Sequence, residues 1–148
     1  MKKILIFAAT YNEKNNINKL IKGIKKNCKK GHILIVDDNS PDGTADIIKD
    51  IKNKNKNTKI KLIIRSKKNG LDTAHKLAYN YALDNKYDYL ITMDADLSHD
   101  PAEIPNFLKY LSNNDFVLGS RYMKGGRNEL TLFRFLLSYF GNKFIKYI

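Results

Sequence analysis

Tyr87-Asp88-Tyr89-Leu90-Ile91-Thr92-Met93-Asp94-Ala95-Asp96-Leu97-Ser98-His99-Asp100-Pro101 runs from an apolar, β-branched and aromatic stretch straight into two carboxylates one residue apart. The first half reads as a buried strand and the second as the loop at its carboxyl end. Negative charge gathered at such an end is costly unless a cation offsets it. Oxygen ligands suit Mg²⁺ or Mn²⁺, above all a metal shared with substrate phosphates. Asp94 and Asp96 are therefore candidate metal ligands, and Ser98 is placed to add a hydroxyl or water-mediated contact. The implied ligand is a metal carrying a diphosphate. Capping does not account for the pair, because Asp100 already caps the helix that Pro101 opens. His99 reads as a polar turn residue.

Outward from this stretch, short aliphatic runs alternate with segments of helical period, the pattern of an α/β chain with a mostly parallel sheet and helices on both faces. Strands are expected at 3–9, 32–37, 60–65, 88–93 and 115–119. Ile17, Leu20, Ile21 and Ile24 mark one helix, and Ala45, Ile47, Ile48 and Ile51 a second. Ala74, Leu77, Ala78, Tyr81 and Ala82 mark a third, and Ile104, Phe107, Leu108 and Leu111 a fourth that begins at Pro101. There is no internal repeat, and 52–61 reads as a helix end and loop.

With 148 residues the chain is one domain at most, large enough for a core yet short for an α/β enzyme that must also hold a second substrate. The net charge of +12, from 27 Lys and Arg against 15 Asp and Glu, is mostly lysine interleaved with asparagine. Such stretches lack aromatics for base stacking, and no nucleic-acid-binding module is recognisable, so attraction to phosphate or an anionic membrane face is preferred over nucleic acid. The single Cys28 excludes an intramolecular disulfide and a multi-cysteine zinc site, as suits a reducing compartment. Ile4–Ala9 is too short for a signal peptide and runs into Thr10-Tyr11-Asn12-Glu13, so it reads as a first strand. No run reaches the roughly 18 apolar residues of a membrane span, which points to a cytoplasmic or peripheral protein.

In an open α/β sheet, ligands bind beyond the carboxyl ends of the strands. Three polar clusters fall there: Thr10–Glu13, Asp37–Thr44 and Asp94–Asp96. Ser40, Pro41, Asp42 and Thr44 are ordinary helix-entry residues. Adjacent Asp37 and Asp38 ask for more. Asp38 is expected at the rim, accepting hydrogen bonds from a base or ribose, with Asp37 more structural. A haloacid-dehalogenase-type Asp-x-Asp would follow the first strand rather than the fourth. Arg121, after the fifth expected strand, and Arg134, beyond Gly125-Gly126, are candidates for phosphate contacts. From Leu130 to Ile148 a narrow polar stripe (Arg134, Ser138, Asn142, Lys146) borders a wide apolar face, which suits either further protein packed on it or a membrane interface.

Taken together, Ala9-Thr10-Tyr11-Asn12-Glu13, Val36–Thr44, Met93–His99 and Gly119-Ser120-Arg121-Tyr122 resemble the family-2 glycosyltransferases of GT-A fold, and within them the polyprenol- and dolichol-phosphate mannose synthases. The resemblance implies a GT-A Rossmann-like sandwich, a GDP-mannose donor, Mg²⁺ or Mn²⁺, a polyprenyl phosphate acceptor and inversion at the anomeric carbon. Carried over by position, Ala9, Tyr11, Glu13, Val36 and Asp38 would hold guanosine, and Asp94, Ala95 and Asp96 would contact ribose and diphosphate. Asp94, Asp96 and Ser98 would serve the metal. Asp96, Arg121 and Arg134 would be catalytic, Arg121 also contacting the nucleotide's phosphates. The implied organisation is a nucleotide-sugar-binding domain over 1–126 and the start of an amphipathic interfacial helix over 127–148, peripheral at the cytoplasmic face of a membrane.

Ala9 stands where the family has proline, and Asp72 stands where a second glycine follows Gly70-Leu71. The sequence is expected to stop within the interfacial helix, before a further strand and basic residue of the family. Two other readings stay open at this stage: a lipid-phosphate glycosyltransferase with another donor such as UDP-glucose, and a catalytically silent nucleotide-binding fragment.

Overall fold

Ile4–Thr10 forms β1, seven residues with Leu5 to Ala8 fully enclosed. It lies in the interior of a four-stranded sheet with β2 (His32–Asp37), β3 (Ile60–Ile64) and β4 (Tyr89–Asp94), in the order β3-β2-β1-β4. Every neighbouring pair is parallel. That placement explains why β1 and β2 read as continuous apolar runs, since parallel strands covered on both faces have no solvent side. The computed structural model describes residues 2–54, 59–120 and 132–146.

The strands are joined by α1 (Ile17–Asn27), α2 (Thr44–Lys54) and α3 (Leu71–Asp84), and a 3-10 turn at Pro101–Glu103 leads into α4 (Ile104–Leu111). Period-two alternation divides the core. Ile6, Ala8, Ile33, Ile35, Ile91 and Met93 face α1, α2 and α4, where Ile17, Leu20, Ile21, Ile24, Ile48 and Ile104 meet them. Leu5, Phe7, Leu34 and Val36 face the other way, against Ala74, Ala78 and Ala82 of α3. These alanines sit four apart, so they line one side of the helix and let it lie close to the sheet.

The four strands expected between residues 3 and 93 form within one residue of their expected ends. Asp115-Phe116-Val117-Leu118-Gly119 does not form the expected fifth strand, and the residues described there have no regular secondary structure. Alternating apolar residues say which face a strand would bury, but a strand exists only where a neighbour completes its ladder. Phe116 and Leu118 are instead 78% and 74% exposed.

The chain divides into two compact units, Met1–Asn113 and Asn114–Ile148. The expected domain boundary at 126/127 lies outside the described residues. In the second unit α5 (Leu132–Lys146) is helical, with Phe133, Leu136, Leu137, Phe140 and Phe144 exposed at three- and four-residue spacing. Among the described residues no helix is long and apolar enough to cross a membrane.

One close approach governs how the α4 end of the domain seats on α1. A Cβ at Gly23 would lie 2.9 Å from Cγ and 3.1 Å from Cβ of buried Pro101, a rigid ring with nowhere to retreat. Alanine at a helix-interior glycine gains about 1 kcal/mol of helix propensity, whereas overpacking costs about 1–3 kcal/mol. Gly23→Ala is therefore expected to lower the thermal midpoint. Gly141→Ala in α5, where nothing lies within 4 Å of the added Cβ, is expected to increase helicity. A Gly23→Ala protein more stable than wild type in thermal denaturation would show that the turn shifts freely.

Candidate active site

The ladder register builds the site row by row. Ala9 stands between Val36 and Asp94, and in the next row Asp37 pairs with both Thr10 and Ile64. One residue beyond these rows the chain leaves the sheet as Tyr11, Asp38, Arg65 and Ala95. Residues distant in sequence therefore converge at the carboxyl edge, as expected of an open α/β sheet. A recess of about 240 Å³ lies there, lined by Ala9, Tyr11, Glu13, Asp38, Asp94, Ala95 and Asp96 among others. A larger groove of about 460 Å³ runs between β3 and α3 through Ile63, Lys76, Tyr81 and Asp84, and holds none of the expected site residues.

Asp37 and Asp38 have opposite roles. Asp37 is wholly buried and accepts from Thr10 Oγ1 at 2.8 Å, Ser40 Oγ at 2.6 Å and Ser40 N at 2.8 Å. The first bond ties the end of β1 to the end of β2, and the other two hold the loop beyond β2 against its own strand. Ser40 Oγ in turn accepts from Asn12 N at 3.0 Å, Thr44 Oγ1 from Glu13 N at 2.9 Å, and Asp42 Oδ2 from Lys14 N at 2.9 Å. Three successive backbone donors of the first loop thus rest on side chains of the second. Asn12 and Asn39 take the left-handed conformation (φ 63° and 57°), which asparagine tolerates better than most residues. The Ser40–Thr44 segment is therefore more than helix-entry chemistry, since it also fixes the backbone that presents Tyr11 and Glu13.

Asp38 faces the recess and is paired with Arg65, whose Nε donates to its Oδ1. Both side chains are about nine-tenths buried. The guanidinium also donates from Nη1 to Thr73 Oγ1 and from Nη2 to the Gly70 carbonyl at 2.9 Å. Arg65 thereby fastens the loop after β3 to the start of α3. Gly70 has φ 89°, and a Cβ there would also stand 2.8 Å from Asp72 Oδ1. Asp72, the departure noted in the sequence, sits in the first turn of α3 and leaves this glycine in place.

Beyond β4, His99 folds back on the strand end. Its Nδ1 accepts from Asp94 N at 3.1 Å, which leaves the proton on Nε2, 3.6 Å from Asp94 Oδ2. Asp96 Oδ1 accepts from Ser98 N at 2.9 Å, and that N–H, with the Ser98 hydroxyl, holds the Asp96 carboxyl below the usual carboxylate range. Leu97 between them is left-handed (φ 69°) and packs on the α1 side of the core, so the loop is anchored by an apolar side chain in a strained conformation. No group of three or more His, Cys, Asp or Glu that could hold a metal occurs among the described residues. The donor set is thus two carboxylates on one loop, which suits a hard divalent ion completed by water and phosphate rather than a closed protein cage.

The recess brings together seven of the expected residues. Val36 lies in the sheet beneath them, fully buried in the α3-side core, and does not line the recess. Ser98 is exposed and reaches it only through Asp96. Arg121 lies outside the described residues, and so does the side chain of Arg134 within α5. Sequence reasoning passed over Arg65 and Lys68, which also line the recess. The strand-end rule that found the other clusters applies equally to β3, but the lysines around it disguised the segment as solvated charge.

The model for "Glycosyl transferase family 2" matches residues 5–146. The polyprenol monophosphomannose synthase of Mycolicibacterium smegmatis is 34% identical over 123 residues, covering 82% of this chain and 46% of that protein. The dolichol-phosphate mannosyltransferase of Pyrococcus furiosus is 36% identical over 131 residues, covering 86% of this chain and 35% of that one. The chain thus spans half or less of the length of these relatives. A mannosyltransferase of Pyrobaculum calidifontis, solved with GDP-Man and Mn²⁺, superposes with a TM-score of 0.66 at 22% identity, over 75% of this chain and 32% of its own. The four-stranded parallel sheet with its covering helices is the expected GT-A fold, and with the match running from β1 to α5 the chain belongs to glycosyltransferase family 2.

Proposed function

We propose that this chain is the donor-binding portion of a polyprenyl-phosphate mannosyltransferase, taking mannose from GDP-mannose to a lipid phosphate with inversion and with Mg²⁺ or Mn²⁺ as cofactor. The observation that carries the reading is the convergence of Tyr11, Glu13, Asp38, Asp94 and Asp96 on one recess at the strand ends. The names of the two relatives and the ligands of the solved neighbour support the choice of sugar and base.

In this reading Tyr11 offers its ring to the base, and Asp38, held by Arg65, presents its remaining oxygen to base or ribose donors. Asp94 and Asp96 would hold the metal, with Ser98 setting the Asp96 carboxylate, and Arg121 and Arg134 would meet phosphate oxygens. A bound divalent ion would neutralise charge on the diphosphate. The acceptor phosphate is already anionic at neutral pH, so no side chain is needed to take its proton. The exposed apolar stripe of α5 suits a peripheral contact with a membrane, on its cytoplasmic face, where the lipid acceptor lies.

Calorimetric titration with GDP-mannose and UDP-glucose, each with Mn²⁺ and with chelator, tests the donor. Tighter binding of GDP-mannose that depends on the metal is expected. Preference for the uridine nucleotide would replace the donor assignment, and failure of every nucleotide to bind would remove the glycosyltransferase reading of the recess.

A further inference from the structure

Two cationic side chains line the recess, and they are used differently. Arg65 is committed to Asp38, Thr73 and Gly70. Lys68 is exposed, and its ammonium pairs with no carboxylate among the described residues although Glu13, Asp94 and Asp96 line the same recess. It stands instead 4.1 Å from the centroid of the Tyr11 ring, well inside cation–π range. Tyr11 is the exposed aromatic of this recess, at 39%, so the ring that offers a flat apolar surface to a ligand is the ring Lys68 covers.

We propose that Lys68 is a displaceable latch on Tyr11, its ammonium and a stacking nucleobase competing for the same aromatic surface. This inference rests on the nucleotide-binding reading given above. The physical case is a comparison of two contacts. An exposed ammonium keeps most of its hydration and gains little from a ring, whereas a base stacked on an aromatic side chain gains more and takes both surfaces out of water. The base therefore wins, and Lys68 subtracts from its affinity. Because Lys68 sits on the loop that Arg65 fastens to α3, the latch moves as a side chain on a fixed backbone and needs no change in the sheet.

Two measurements on the full chain test this. Removing the competitor with Lys68→Met is expected to tighten guanosine binding about 2–5-fold, the equivalent of an exposed cation–π contact. The same change in a Tyr11→Leu background is expected to alter nothing. In carbon-correlated NMR spectra the Lys68 side-chain methylene protons are expected upfield of other lysines, shifted by the Tyr11 ring current, and to return to the ordinary range when GDP and Mn²⁺ saturate the protein. Guanosine bound equally or less tightly by Lys68→Met, or Lys68 signals still shifted upfield with GDP bound, would overturn the latch while leaving the nucleotide site standing. Absence of any GDP binding by the wild-type chain would remove the nucleotide reading and the latch with it.

Discussion

Arg65→Met is expected to destabilise the Met1–Asn113 unit by about 3–5 kcal/mol, the cost of leaving one member of a buried ion pair without its partner. Both side chains are about nine-tenths buried, so the pair is largely shielded from water. The same substitution removes the hydrogen bonds to Thr73 Oγ1 and the Gly70 carbonyl, which loosens the wall of the recess. Against a total domain stability of about 5–15 kcal/mol, the loss is large enough to populate unfolded chain. Coupling within the pair is the diagnostic. Arg65→Met combined with Asp38→Leu removes the stranded charge and should recover much of the stability, whereas unrelated losses would add. Arg65→Lys should fall between, because a single ammonium cannot reach three acceptors in the geometry of a planar fork. Urea denaturation midpoints decide the matter: an Arg65→Met protein within about 1 kcal/mol of wild type would mean that Asp38 is solvated in solution.

How much of this site was legible in the sequence depended on which signal a residue carried. Asp94 and Asp96 stand out because two carboxylates behind Leu90–Met93 have no packing explanation, and Tyr11, Glu13 and Asp38 followed once the strands were placed. Arg65 obeys the same rule at the end of β3, yet in Arg65-Ser66-Lys67-Lys68 its charge looks like that of its neighbours. Only the register beside Asp37 reveals that it turns inward. Ser40 and Asp42 read as helix-entry residues, and Asp42 does accept from Thr44 N at 2.9 Å where α2 begins. Their second role, holding the backbone of Asn12 and Lys14, depends on contacts 28 residues apart that no local pattern encodes. The same limit explains 115–119. Phe116 and Leu118 alternate as strand residues do, but a ladder needs a partner, and periodicity within one segment carries no information about its neighbour.

Asp96→Ala is expected to abolish the metal dependence of diphosphate binding. If Asp94 and Asp96 hold the ion together, losing one leaves a single carboxylate on a solvent-facing loop. Loss of a supporting group behind a metal ligand already costs about 10–100-fold in affinity, so loss of a ligand should cost at least that for GDP in Mn²⁺. In chelator, wild type and variant should bind GDP alike, since the remaining contacts through Tyr11 and Asp38 are untouched. Asp88→Ala provides the control. Asp88 is also a partly exposed acid, but it accepts from Lys3 N before β4 begins, at the opposite end of the strands. Its removal should leave metal dependence intact. Asp96→Asn refines the test, because it keeps an acceptor for Ser98 N while removing the charge. Metal dependence lost in both Asp96 variants assigns the effect to the carboxylate's charge, and loss in alanine alone assigns it to the shape of the loop. Equal GDP affinity with and without Mn²⁺ in the wild-type chain would leave Asp94 and Asp96 without a metal to hold, and the reading of this loop would fail.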